Sequence, residues 1–175
     1  VVHGSKTGLV LPELAEIDAL KARYGDRVDF VVDACQARIT IPALHNYLAR
    51  GAMVFLTGSK FMGGAPFNGW ALVPKALVER AATLPAGTSK IFRRAEFPKG
   101  WAGRGALEDS ENPGLALRYD GAIFELERFQ QLPVERVAAL LDIFEAAIES
   151  ELAEPLGIQL VRPFTPGHED ELVEH

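Results

Sequence analysis

Two short apolar runs constrain this chain more than any other feature. Residues 28–33 (Val28, Asp29, Phe30, Val31, Val32, Asp33) and 52–56 (Ala52, Met53, Val54, Phe55, Leu56) each have the length of a strand, and each hands over to polar residues. Side chains of this β-branched and aromatic kind favour buried, pleated backbone. Between the runs, residues 41–50 carry Pro42 in an opening turn and are followed by Gly51, where helices start and stop. Strand, helix, strand in that order predicts an α/β architecture. In open α/β sheets, ligands sit where strand ends pass into loops. The polar residues after each run are therefore where chemistry is expected.

The rest of the chain fits around this unit. Residues 1–8 read as a strand end running into a loop, and 12–24 place Leu14, Ile17, Ala19 and Leu20 near helical spacing before Gly25. A third strand is expected over 68–73. The link from Leu56 to it is about a dozen residues with Gly63, Gly64 and Pro66, too poor in helix formers for a crossover, so an antiparallel return is predicted. Residues 74–84 read as helix, and 85–113, rich in Gly and charge, as a long surface or interface loop. Two amphipathic helices are expected over 114–131 and 133–152. The stripe Leu115, Leu117, Ile123, Phe124, Leu126 and Phe129 reads as core or subunit interface. Residues 158–161 could open a strand of a further domain. The expected division is 1–155 as one domain portion and 156–175 as the start of a small C-terminal domain or a disordered tail. The opening Val1-Val2-His3 and the acidic stretch 168–175 both suggest a piece cut from a longer polypeptide.

Composition narrows the function classes. With 175 residues, 48% hydrophobic and 24% charged, the chain can enclose a sizeable core. A net charge of -6 and no basic block interleaved with aromatics argue against nucleic acid as a partner. No apolar run approaches a membrane span. The single cysteine, Cys35, cannot form an internal disulfide and suits a reducing compartment, hence a cytoplasmic location. It reads as a small packing residue. His3, His45, His168 and His175 do not form a metal-ligand spacing. Gly4-Ser5-Lys6-Thr7 lacks the glycine directly before the lysine that a P-loop requires. Arg93, Arg94 and Trp101 read as a dimer contact or active-site rim, and Arg118 as an ion-pair or packing residue.

Alone, an Asp after an apolar strand usually caps the next turn, and a loop Lys is usually solvated. The ordered set carries more. Asp33-Ala34-Cys35-Gln36 closes the first run, and Thr57-Gly58-Ser59-Lys60 closes the second, followed by Gly63, Gly64, Pro66, Asn68 and Gly69. This arrangement resembles the class V aminotransferase branch of the fold-type I pyridoxal-phosphate (PLP) enzymes, which includes cysteine desulfurases and kynureninases. In that family an Asp-x-x-Gln or Asp-x-x-His element closes one strand, and a Ser/Thr-x-x-Lys element closes a later one. Ser5 to Gly8 and Asn112 to Arg118 also resemble segments of the family, and the likeness runs from about Val1 to about Leu152.

The resemblance implies part of a large PLP-binding domain, a mostly parallel mixed sheet with flanking helices. It implies that Lys60 forms the internal aldimine and later shuttles the α-proton, that Asp33 accepts the pyridinium N–H, and that Gln36 meets the ring's phenolic oxygen. Thr57 and Ser59 would help hold the phosphate. A desolvated lysine amine condenses readily with an aldehyde, and a protonated pyridine is the better electron sink. Where the family often has His before the lysine, this chain has Ser59. The implied protein is a transferase or lyase acting on an amino acid or amine, aminotransferase-like and homodimeric, with elimination, desulfuration, decarboxylation and hydrolysis open. The family's phosphate loop, ring-stacking side chain and substrate-carboxylate arginine lie outside the matched region. The alternative is a non-catalytic structural or partner-binding fragment of such an enzyme.

Overall fold

The computed structural model describes residues 2–3 and 10–160. Two short strands, β1 (Val2–His3) and β2 (Val10–Leu11), precede helix α1 (Leu14–Tyr24). Helix α1 opens on Glu13, whose N–H is bonded by Glu16 Oε2 at 3.0 Å. Strand β3 (Val31–Asp33), helix α2 (Ile41–Ala49) and strand β4 (Met53–Leu56) form the expected strand–helix–strand unit. Thr40 caps α2, its Oγ1 accepting from the Ala43 N–H at 3.2 Å. Strand β5 (Trp70–Leu72) and helix α3 (Lys75–Arg80) follow. The irregular stretch 85–113 contains short 3-10 turns at Thr88–Lys90, Arg94–Glu96 and Arg104–Ala106. Helices α4 (Pro113–Gln130) and α5 (Val134–Ile148) come next. The latter runs on through a π-helical turn, Glu149–Ala153, into α6 (Glu154–Leu156).

The fold is mixed α/β, with strand order β2-β1-β3-β4-β5. Val31, Val32 and Asp33 lie parallel to Met53, Val54 and Phe55, and β1 meets β3 in parallel through Val2 and Asp33. The two edges are antiparallel, β2 on β1 and β5 on β4. The return over 57–69 is thus antiparallel as expected. The sheet is therefore mixed: β1, β3 and β4 run the same way at its centre, and each edge strand runs against them.

Several boundaries differ from the sequence reading. Residues 28–30 precede the ladder, which begins only where β4 supplies Met53 as partner to Val31. Helix α3 stops at Arg80, short of 84. Residues 158–160 form no strand. Val161, the last residue of that expected strand, the segment Gly4 to Gly8, and the tail with His168 and His175 lie outside the described residues.

The core is one cluster built from Val10, Leu14, Ile17, Phe30, Val32, Ala34, Ala43, Tyr47, Ala52 and Val54. It buries one face of β3 and β4: Val32 and Val54 are fully enclosed, while Val31, Asp33 and Phe55 are exposed on the other face. Within the core, His3 Nδ1 and the Tyr47 hydroxyl lie 3.2 Å apart, and burial pushes the Tyr47 hydroxyl up to about 12. The stripe on α4 is not core within this chain. Leu117 is 71% exposed, and Ile123, Phe124 and Phe129 are exposed as well. Helix α5 has no buried residue.

Candidate functional site

Asp33 ends β3 on the open face of the sheet. Its Oδ1 accepts the Cys35 N–H at 3.0 Å, which closes the strand into a turn. The turn continues with an Ala37 N–H to Ala34 carbonyl bond of 2.8 Å, and it holds Gln36 half-buried. Ala37 has φ 56°, a left-handed conformation that is strained for a residue with a Cβ. Hydrogen bonds from Cys35, first its thiol and then its N–H, hold the Asp33 carboxyl below the usual carboxylate range. The Lys60 ammonium pulls more weakly in the same direction. Burial pushes the Cys35 thiol up and Asp33 adds to that, while Lys60 opposes both. Cys35 is therefore a poor nucleophile, in line with a packing role.

The second half of the site begins where β4 ends. Thr57 Oγ1 donates to the Asn68 carbonyl at 2.6 Å. A threonine hydroxyl has one hydrogen, so in the 2.9 Å contact between Thr57 Oγ1 and Ser59 Oγ the donor is Ser59. The Ser59 N–H also reaches Thr57 Oγ1, at 3.3 Å. The Lys60 carbonyl accepts the Gly63 N–H at 2.9 Å, and the Gly58 carbonyl accepts the Gly64 N–H at 2.8 Å, so 58–64 closes on itself. The lysine side chain is exposed.

This turn rests on α4. A Cβ placed on Gly58 would come within 2.5 Å of the Ala122 Cβ, and one on Gly64 within 2.6 Å. Glycine is required there by close approach rather than by backbone angle. Further along, the Tyr119 hydroxyl donates to the Gly69 carbonyl at 2.7 Å, and its ring stacks on Trp70 at 4.8 Å. Phe61 meets Phe129 edge-to-face at 5.3 Å. Between these contacts sits Asn68, only 6% exposed.

The structure thus brings Asp33, Cys35 and Lys60 into electrostatic reach of one another at the carboxyl ends of adjacent parallel strands. It joins Thr57 to Ser59 directly. Thr57 spends its hydrogen inward and has none to offer a phosphate; Ser59 could turn its own outward by releasing Thr57. The desolvation expected around Lys60 is not supplied by the described residues.

Within the chain, Arg93, Arg94 and Trp101 make contacts inside the irregular loop. Arg94 pairs with Asp109 at 2.8 Å and donates to the Leu107 carbonyl at 3.0 Å. Arg93 lies 3.7 Å from Glu108, and Trp101 packs on Phe97 at 5.6 Å. Arg118 is a packing residue, its Nη1 donating to the Gly114 carbonyl at 2.8 Å.

Sequence reasoning missed Asn68 and Ala122. Asn68 stood before Gly69 at the end of a glycine-rich stretch, and Ala122 was a small residue amid the large apolar side chains of α4; neither signal pointed to the other. Among the described residues, no group of three or more His, Cys, Asp or Glu side chains is placed to hold a metal ion. No described helix is long and apolar enough to cross a membrane. Neither a family model, nor a curated protein, nor a solved structure matches the chain.

Proposed function

We propose that this chain carries part of the cofactor-binding domain of a PLP enzyme acting on an amino acid or related amine. In this reading Lys60 is the covalent anchor and Asp33 the partner of the pyridine nitrogen. The observation that carries it is the pair itself: an Asp held ionised and a Lys whose charge it feels, presented from the carboxyl ends of β3 and β4. That is where an open sheet places a ligand.

The residues fit the cofactor in part. An Asp33 carboxylate kept below its ordinary range is the right partner for a protonated ring nitrogen. Lys60 presents an exposed amine that can condense with an aldehyde, losing one water. Gln36, half-buried in the turn that Asp33 closes, would be the partner of the phenolic oxygen. The phosphate role falls to Ser59 and not to Thr57. Among the described residues, the non-glycine positions with positive φ are Ala37 and Phe67, one in each candidate loop. Strain of that kind costs on the order of 1–3 kcal/mol per residue and tends to persist at functional sites.

When bound, PLP supplies an electron sink for charge developing at the substrate's α-carbon. Lys60 would hold the cofactor's aldehyde carbon, and its amine would take and return the substrate's α-proton. Asp33 would hold the proton on the ring nitrogen. Transamination is the reaction class proposed first, in a cytoplasmic homodimer.

The test is to add PLP to the chain and follow the visible spectrum. We expect an absorption band that is absent in Lys60→Ala, and a borohydride-trapped adduct that maps to Lys60 over Lys21, Lys75, Lys90 and Lys99. A band that survives the substitution, or label spread evenly over the lysines, overturns the reading. A second reading, a non-catalytic partner-binding fragment of such an enzyme, is favoured by the exposure of Asp33, of Lys60 and of every large apolar residue of α5 except Val137 and Ile148. It predicts no preference for Lys60.

A further inference from the structure

The geometry points to Asn68 as the positioning residue for Lys60, locking the turn 58–64 onto α4. The inference rests on reading Lys60 as the reactive amine. Asn68 uses both ends of its amide and its main chain at once. Its Oδ1 accepts the Gly58 N–H at 2.8 Å, and its Nδ2 donates to the Arg118 carbonyl on α4 at 3.1 Å. Its own carbonyl accepts the Thr57 hydroxyl at 2.6 Å. Three bonds from one nearly enclosed residue therefore reach the end of β4, the start of the turn and the helix beneath it.

An asparagine is suited to this place by its chemistry. It offers one acceptor and one donor on a short, planar group. Aspartate would turn a second oxygen toward the Arg118 carbonyl, and alanine would leave the Gly58 N–H without its partner. The preceding residue, Phe67, has φ 63° and is 87% exposed, so the chain reverses there with the ring outward and the Asn68 amide inward. Lys60 follows Gly58 closely within a turn that is already bonded to itself. Holding Gly58 and Gly64 on Ala122 fixes the whole turn, and with it the point from which the lysine reaches. Proper placement of a reacting amine is worth far more than its mere presence.

The experiment compares the full chain with Asn68→Ala, Asn68→Asp and, as a core control, Tyr47→Phe. Three quantities are read: amide hydrogen exchange at Gly58 and Gly64, the fraction of borohydride-trapped PLP on Lys60, and the melting temperature. Asn68→Ala is expected to speed Gly58 exchange about tenfold, the equivalent of one lost hydrogen bond, and to lower the Lys60 fraction. Asn68→Asp, which keeps the acceptor, recovers most of the Gly58 protection. Tyr47→Phe lowers the melting temperature and leaves both other readings unchanged. Unchanged Gly58 exchange in Asn68→Ala overturns the proposal, and so does lost protection with an unchanged Lys60 fraction. Failure of the underlying reading looks different: PLP would then mark Lys60 no more than Lys75 in the unaltered chain, and Gly58 exchange would decide the hold of Asn68 on the turn.

Discussion

Asp33 shows how one side chain closes a strand and sets a charge together. The Cys35 bonds that shape the turn also keep the carboxyl ionised. The sign of the pH effect follows. A carboxyl whose folded pKa lies below its ordinary value of about 3.9 adds stability above that pH and loses it as pH falls through the folded value. Asp33→Asn keeps an oxygen for the Cys35 N–H and removes the charge. The variant should melt below the unaltered chain at pH 7, and the gap should narrow as the pH falls below about 4. Two melting curves that stay parallel down to the lowest pH would falsify this account. The residue types at positions 33 and 60 were legible from sequence, because an Asp and a Lys at strand ends stand out. The role of Thr57 was not, because it depends on which acceptor takes its single hydrogen, and that acceptor is the carbonyl of Asn68 across a reversal of the chain.

At the scale of elements, the contact between the 58–64 turn and α4 makes a sharper demand than any propensity. A Cβ on Gly64 would lie 2.8 Å from both the Ala122 Cα and the Gly58 carbonyl oxygen, which are backbone atoms with no rotamer to give way. Gly63, by contrast, has φ 74° and open space around it. Gly63→Ala should therefore cost about 1–2 kcal/mol of conformational strain. Gly64→Ala should cost about 1–3 kcal/mol by overpacking, and it alone should shift α4. Urea denaturation gives the energies, and the Phe61–Phe129 contact, read through ring chemical shifts, gives the displacement. A displacement caused by Gly63→Ala and not by Gly64→Ala would reverse the assignment. Helix and strand positions were readable because Pro, Gly and β-branched runs punctuate the chain locally. The seat of the turn on Ala122 was not readable, since it joins residues far apart in sequence and leaves no periodic trace.

Across the whole molecule, burial is uneven. The core cluster draws on residues from Val10 to Val54, while α5 lies outside it with no buried side chain. Periodicity on α4 and α5 marks apolar faces, but it does not say what, if anything, covers them, and within this chain most of both faces is exposed. Stability should follow burial, not hydrophobicity. Ile17, fully enclosed, should cost about 2–5 kcal/mol on truncation to alanine, through lost transfer energy and the cavity left behind. Phe144 is larger and 64% exposed, so Phe144→Ser should change stability by less than about 0.5 kcal/mol. Denaturant midpoints at fixed protein concentration, repeated at a tenfold dilution, separate the two cases. Equal costs for Ile17→Ala and Phe144→Ser would mean that α5 is covered in solution by another surface. A Phe144 effect that then faded on dilution would show that surface to be a second copy of the chain.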